Sequence, residues 1–158
     1  MTRAFFNLVA LISLLMLLPA FSSLSMARDH YVDPGAATNF SGDGNADTPW
    51  RDLQQIIDDD IVKAGDRVIL ATGNYGRLLV ENKKMFERTT ILAGQDQKPV
   101  FEIVDILGSS NWHLQGLTVT SSGQRKQEYR YHVRVDENSQ HITVNDFSIY
   151  TVADISDW

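Results

Sequence analysis

Apolar residues recur along this chain at a fixed interval. Leu70, Leu92 and Leu114 follow one another at 22 residues, each inside a short apolar stretch: Val68 to Ala71, Thr90 to Ala93 and Trp112 to Leu117. A fourth stretch, Ile142 to Ile149, comes 30 residues after the third, the same 22 with eight more. Short apolar stretches at such a period mark a stacked architecture, in which each unit buries its apolar face against the next.

The alternation within the stretches breaks at a shared place. Trp112 and Leu114 have one parity and Leu117 and Val119 the other; Ile142 and Val144 are followed in the same way by Phe147 and Ile149. Strand side chains alternate between faces, so a parity slip that keeps the apolar residues buried requires a corner. Gly116 and Asp146 stand there, and both residue types tolerate turn geometry. The pattern predicts an all-β fold: a right-handed parallel β-helix, a solenoid of about four coils starting near residue 67.

Arg77 to Val80 and Val100 to Ile103 are the expected second strands of the first two coils, again about 22 residues apart, with Val133 and Val135 as counterparts in the third. The eight extra residues then fall within Ser121 to Tyr131. Loops added to a solenoid project from one face, often the binding face.

Upstream, Asp29 to Val32 reads as a first strand, closed by Asp33-Pro34-Gly35 and followed by a turn-rich loop to Asp47. Thr48-Pro49-Trp50 is read as a helix start, with Thr48 as N-cap and Pro49 at the first helical position. Leu53, Ile56, Ile57 and Ile61 fall on one helical face, so an amphipathic helix over about 50–63 is expected to cap the open end of the solenoid. Asp58, Asp59 and Asp60 lie near its C-terminal end, where the helix dipole disfavours them, and are expected in solvent. Gly65 ends the helix and Asp66 turns the chain into the first coil.

The first 27 residues stand apart. Arg3, the apolar run Leu8 to Leu18 and the small-x-small sequence Ser25-Met26-Ala27 read as an export signal; the alternative is an uncleaved membrane anchor over Ala4 to Phe21, which Asn7, Ser13 and Pro19 interrupt. Residues 28–158 are expected as one exported domain, periplasmic or extracellular, with no membrane span after cleavage. Removing the signal takes Arg3 alone among the charged residues, leaving 13 basic and 20 acidic groups and a formal charge of −7. That sign argues against nucleic acid as a partner. With no cysteine there is no disulfide, no thiolate nucleophile and no lipoprotein anchor.

Several runs together resemble a known group. Tyr31-Val32-Asp33-Pro34, Gly42-Asp43-Gly44, Thr48 to Gln54, Ala64-Gly65-Asp66 to Leu70 and Gly73-Asn74-Tyr75-Gly76 look like the N-terminal part of secreted right-handed β-helix proteins of the pectate-lyase-like superfamily. In those proteins a strand, a capping helix and two glycine-containing turns introduce the first coil. The resemblance covers Asp29 to about Thr120. It implies the fold and an acidic polysaccharide as partner, with lyase or epimerase chemistry in one reading and a non-catalytic glycan- or surface-binding module in the other. It does not specify a reaction.

Lyases of this kind need a base, usually a lysine or arginine of lowered pKa, and positive charge to stabilise an enolate. No position in this chain matches such a catalytic residue, and catalysis is expected on coils beyond Trp158. For substrate binding the candidates are Arg125, Lys126, Tyr129, Arg130, Tyr131, His132 and Arg134, since arginine pairs with carboxylates and tyrosine stacks on sugar rings. Lys83 and Lys84 read as soluble surface, and His113 points outward from its strand. No cofactor is evident. Asp43, Asn45 and Asp47 offer alternating oxygens for calcium but lack the later bidentate glutamate, so an Asx-rich turn is the expectation and no metal site is assigned. Thr151 to Trp158 contains nothing able to cap the last coil, from which self-association through that coil is expected.

Overall fold

The computed structural model describes residues 26–36, 43–120 and 131–150. They form strands β1 (Asp29–Val32), β2 (Arg67–Leu70), β3 (Gly73–Glu81), β4 (Lys84–Ala93), β5 (Pro99–Leu107), β6 (Ser110–Gln115), β7 (Thr118–Thr120), β8 (Val133–Asp136), β9 (Thr143–Asn145) and β10 (Ser148–Tyr150), with one short helix, α1 (Leu53–Asp58). The architecture is all-β and the strand pairs are parallel. One sheet runs β1-β2-β4-β6-β9; the other runs β10-β7-β5-β3, with β8 also paired to β5. From β2 to β7 successive strands fall alternately into the two sheets, and β9 and β10 resume that alternation after β8.

The first sheet is built on one inward column. Val68 pairs with Ile91, Ile91 with Leu114 and Leu114 with Val144. The first three are fully buried. The step is therefore 23 residues rather than 22, and Ile91, not Leu92, faces the core. Leu92 pairs with Ile69 on the opposite face. A one-residue shift inverts every side chain of a strand, so the leucine spacing alone selected the wrong parity in β4.

In the second sheet Arg77 pairs with Ile103, a step of 26 where about 22 was expected. The added length lies in the turn from β4 to β5, which spans residues 94–98 against 71–72 between β2 and β3. Extra length of eight residues was expected within Ser121 to Tyr131, of which 121–130 lie outside the described residues; the register places extra length between Val119 and Val133. Phe101 pairs with Val119 and Val104 with Val133, so two residues of β5 stand opposite thirteen, and the partner strand is split into β7 and β8.

The corners are as the parity slip required. Gly116 and Asp146 have φ of +72° and +54°, and Trp112, Leu114, Leu117 and Val119 around the first of them are all buried. Leu78, Val80, Phe101, Val104 and Ile106 from the second sheet complete the core. Gly73-Asn74-Tyr75, expected as a turn, instead opens β3 in register with β5, and Tyr75 stacks on Phe101 with ring centroids 5.1 Å apart. Its hydroxyl donates to the carbonyls of Val32 (3.0 Å) and Ala71 (2.9 Å), tying β1 to the corner after β2.

The cap is shorter than the apolar periodicity implies. The helix is Leu53–Asp58, its N-cap is Asp52, whose carboxylate accepts the Gln55 N–H at 3.1 Å, and Thr48-Pro49-Trp50 remains extended. The Trp50 N–H donates to the Tyr31 carbonyl and the Asp33 N–H to the Trp50 carbonyl, both at 2.8 Å. Proline favours an extended predecessor, and the unpaired edge of β1 supplies the backbone partners that a helical turn would otherwise have provided. Asp60, at φ +54°, takes the chain out of the helical path. Leu53, Ile56 and Ile57 are nevertheless buried as the spacing required, and Asp58 to Asp60 are exposed.

The short helix packs on β3, the edge strand of the second sheet. There the Gln54 carboxamide donates to the Leu79 carbonyl and accepts the Leu79 N–H, both at 2.9 Å. The leading edge of the first sheet is covered by β1, and that of the second by α1. Among the described residues no helix is long and apolar enough to cross a membrane.

Candidate functional site: one carboxylate shared by two arginines

The run Ile103-Val104-Asp105-Ile106-Leu107 places a carboxylate inside an apolar strand. Val104 and Ile106 face the core, so Asp105 faces the other way, yet it is only 1% exposed. An ionised group out of water needs matched partners. Two come from the neighbouring strands. Arg77 on β3 donates Nε–H (3.0 Å) and Nη2–H (2.6 Å) to Oδ2; Arg134 on β8, the register partner of Asp105, donates Nε–H to Oδ1 at 2.8 Å.

The arginines stay accessible, with side chains 48% and 30% exposed. Tyr131 lies against the second of them, its ring centroid 4.9 Å from the Arg134 guanidinium carbon. This cation–π contact orients the plane of the guanidinium. The hydrogen bond to Asp105 raises the pKa of Arg134 above its ordinary value. A guanidinium held more firmly in its charged form is a fixed donor and not a base. The chemistry available on this face is recognition of anions.

Of the binding residues expected from sequence, the fold brings Tyr131 and Arg134 together. His132 has the outward parity of Arg134; its carbonyl accepts the Val104 N–H at 2.9 Å, and its buried Nδ1 has no hydrogen-bond partner among the described residues. Arg125, Lys126, Tyr129 and Arg130 lie outside the described residues. Arg77 and Asp105 were not anticipated. A lone acid in the apolar run of β5 was the available signal, because such an acid demands a cation from a neighbouring strand.

Two other polar clusters serve the fold. Asp66, in the Ala-Gly-Asp turn, accepts the N–H groups of Arg28 and Lys63 (2.8 Å each) and bonds His30 Nε2 at 2.9 Å, pinning β1 to the start of β2. In the Asx-rich turn, the Asp43 carboxylate accepts the Asn45 N–H (3.2 Å), the Asn45 side-chain amide (2.6 Å) and the Thr48 hydroxyl. The Thr48 hydrogen bond, with that from Asn45, holds the Asp43 carboxyl below its ordinary pKa. Among the described residues no group of three or more acidic or histidine side chains is placed to hold a metal ion.

Comparison of the chain with known protein families, with curated proteins and with solved structures finds no match.

Proposed function

We propose that this chain is an exported right-handed parallel β-helix of the pectate-lyase-like kind, and that it binds acidic polysaccharide through the outer face of its second sheet. The alternation of strands between two parallel sheets, the 23-residue column through Val68, Ile91 and Leu114 and the corner glycine at Gly116 support the fold. The signal-like first 27 residues support export. The observation that carries the binding reading is the Arg77–Asp105–Arg134 bridge with Tyr131 beside it.

A buried carboxylate holds two guanidinium groups at fixed positions on neighbouring strands, and an aromatic ring lies next to one of them. Carboxylates along a uronate polymer are bound by forked N–H donors, and the apolar face of a pyranose packs on an aromatic ring. Binding, not chemistry, is the role assigned to this face, because Asp105 moves Arg134 away from the lowered pKa that a lyase base requires.

The experiment is affinity electrophoresis of the protein in gels containing pectate, alginate, a glycosaminoglycan or neutral dextran. Retardation by a polyuronate but not by dextran is expected, with Arg77→Gln and Arg134→Gln each weakening it. Equal migration in all gels overturns the reading. Absorbance at the unsaturated-uronate band during incubation with the same polymers tests for lyase activity directly.

A further inference from the structure

A second cationic cluster lies at the turn between β3 and β4. Lys84 pairs with Ser110 and Thr89 with Trp112, so four residues of β4 stand opposite one of β6. Such an excess bulges away from the ladder. The bulge carries Phe86, 79% exposed.

The backbone that displays this ring is braced by the next strand. Asn111 Nδ2 donates to the Met85 carbonyl at 2.6 Å, Trp112 Nε1 to the Lys83 carbonyl at 2.9 Å, and the Lys83 N–H to Ser109 Oγ at 3.0 Å. Beside the ring is a cleft of about 400 Å³ whose lining includes Asp60, Lys63, Asn82, Lys83, Lys84 and Phe86. Three lysines against one aspartate form a local cationic excess on a chain whose net charge is −6. Lys83 Nζ is committed to Asp60 Oδ1 at 2.5 Å and to the Asp58 carbonyl at 3.3 Å, and Lys63 Nζ to the Asp60 carbonyl. Lys84 is exposed.

We infer that this cleft is a second subsite for an acidic sugar unit, in which the pyranose stacks on Phe86, its carboxylate meets Lys84, and its hydroxyls bond Asp60 and Asn82. The inference rests on the proposed acidic polysaccharide as ligand and adds a site distinct from the Arg77–Asp105–Arg134 bridge. An anionic bilayer is the competing partner for an exposed ring among lysines. It fits less well: Asp60 within the cleft would face its headgroups, and a concave site with a carboxylate and an amide matches sugar hydroxyls.

The test is isothermal titration of the full chain with tetragalacturonate, tetramannuronate and maltotetraose, repeated for Phe86→Ala and Lys84→Gln, together with sedimentation on phosphatidylglycerol vesicles. Both positions are exposed, so the thermal midpoint is expected to stay unchanged. Each substitution is expected to weaken binding of a tetrauronate by about tenfold, the scale of a lost aromatic or charged contact. Wild-type affinity in both variants overturns the subsite and leaves the bridge intact. If the unsubstituted chain binds neither tetrauronate, the proposed function itself fails and the subsite with it. Vesicle binding that depends on Phe86, with tetrauronate binding unaffected, assigns the cleft to a membrane surface and also overturns the inference.

Discussion

Gln54 pairs with the backbone of Leu79 through both ends of its carboxamide, donating to the carbonyl and accepting from the N–H at 2.9 Å each. One side chain thereby does at the edge of β3 what a further parallel strand would do. Unpaired strand edges are sites of aggregation, and a partly buried backbone group without a partner is costly. Gln54→Ala is expected to lower stability by about 1–2 kcal/mol, measured by urea unfolding. Gln54→Glu keeps the acceptor but loses the donor to the carbonyl, so it is expected to cost at least as much. Wild-type midpoints for both would show that the helix covers this edge by apolar packing alone.

The register of β4 makes a sharp comparison between adjacent residues. Ile91 lies between Val68 and Leu114 in the inward column, whereas Leu92 lies beside Ile69 on the other face. Ile91→Ala is expected to destabilise by about 2–5 kcal/mol, as for truncation in a close-packed core. Leu92→Ala is expected to cost about 1 kcal/mol, because only part of its apolar surface is out of water. The reverse order would restore the 22-residue interval.

The contrast between these neighbours shows what local sequence can carry. The corner at Gly116 and Asp146 was legible because a parity slip with apolar residues on both sides has few backbone solutions. The insertion was legible because it adds length without disturbing the apolar pattern on either side. The parity of β4 was not, since Ile91, Leu92 and Ala93 are all apolar and only pairing with β2 and β6 decides between them. The helix start failed for a related reason: Thr48-Pro49 fits an N-cap and an extended segment equally well, and the edge of β1, far earlier in the chain, decides. Arg77 and Asp105 are 28 residues apart and meet only through the 26-residue step of the second sheet, which no local pattern announces. The arginine and tyrosine at 134 and 131 were found because they are close in sequence as well as in space.

Thr48, displaced from its expected place as a cap, gives a pH-dependent prediction. Its hydroxyl donates to the Asp43 carboxylate and is the largest cause holding that carboxyl below its ordinary value of 3.8. A carboxyl lowered on folding contributes stability above its unfolded pKa and loses it as pH falls through the lower folded value. Thr48→Val is therefore expected to be less stable than the parent at neutral pH, with the difference narrowing once pH drops through 3.8. Urea midpoints measured from neutral pH downward check this. A difference independent of pH would trace the effect of Thr48 to packing and not to the carboxylate.

Substitution at Asp105 separates geometry from charge in the proposed binding face. Asp105→Asn removes the acceptor charge for Arg77 and Arg134 while keeping size and shape. With both guanidinium groups partly exposed, the cost in stability is expected to be about 1–3 kcal/mol, less than for a fully buried pair. Its effect on polyuronate binding is diagnostic by sign. The variant is one unit more positive, so if affinity follows net charge alone, retardation in pectate gels must increase. If recognition depends on two guanidinium groups held in place by one carboxylate, releasing them must weaken binding despite the added positive charge. A weakening of about tenfold is expected. Stronger retardation of the variant would reduce the bridge to a structural clamp and place recognition elsewhere on the chain.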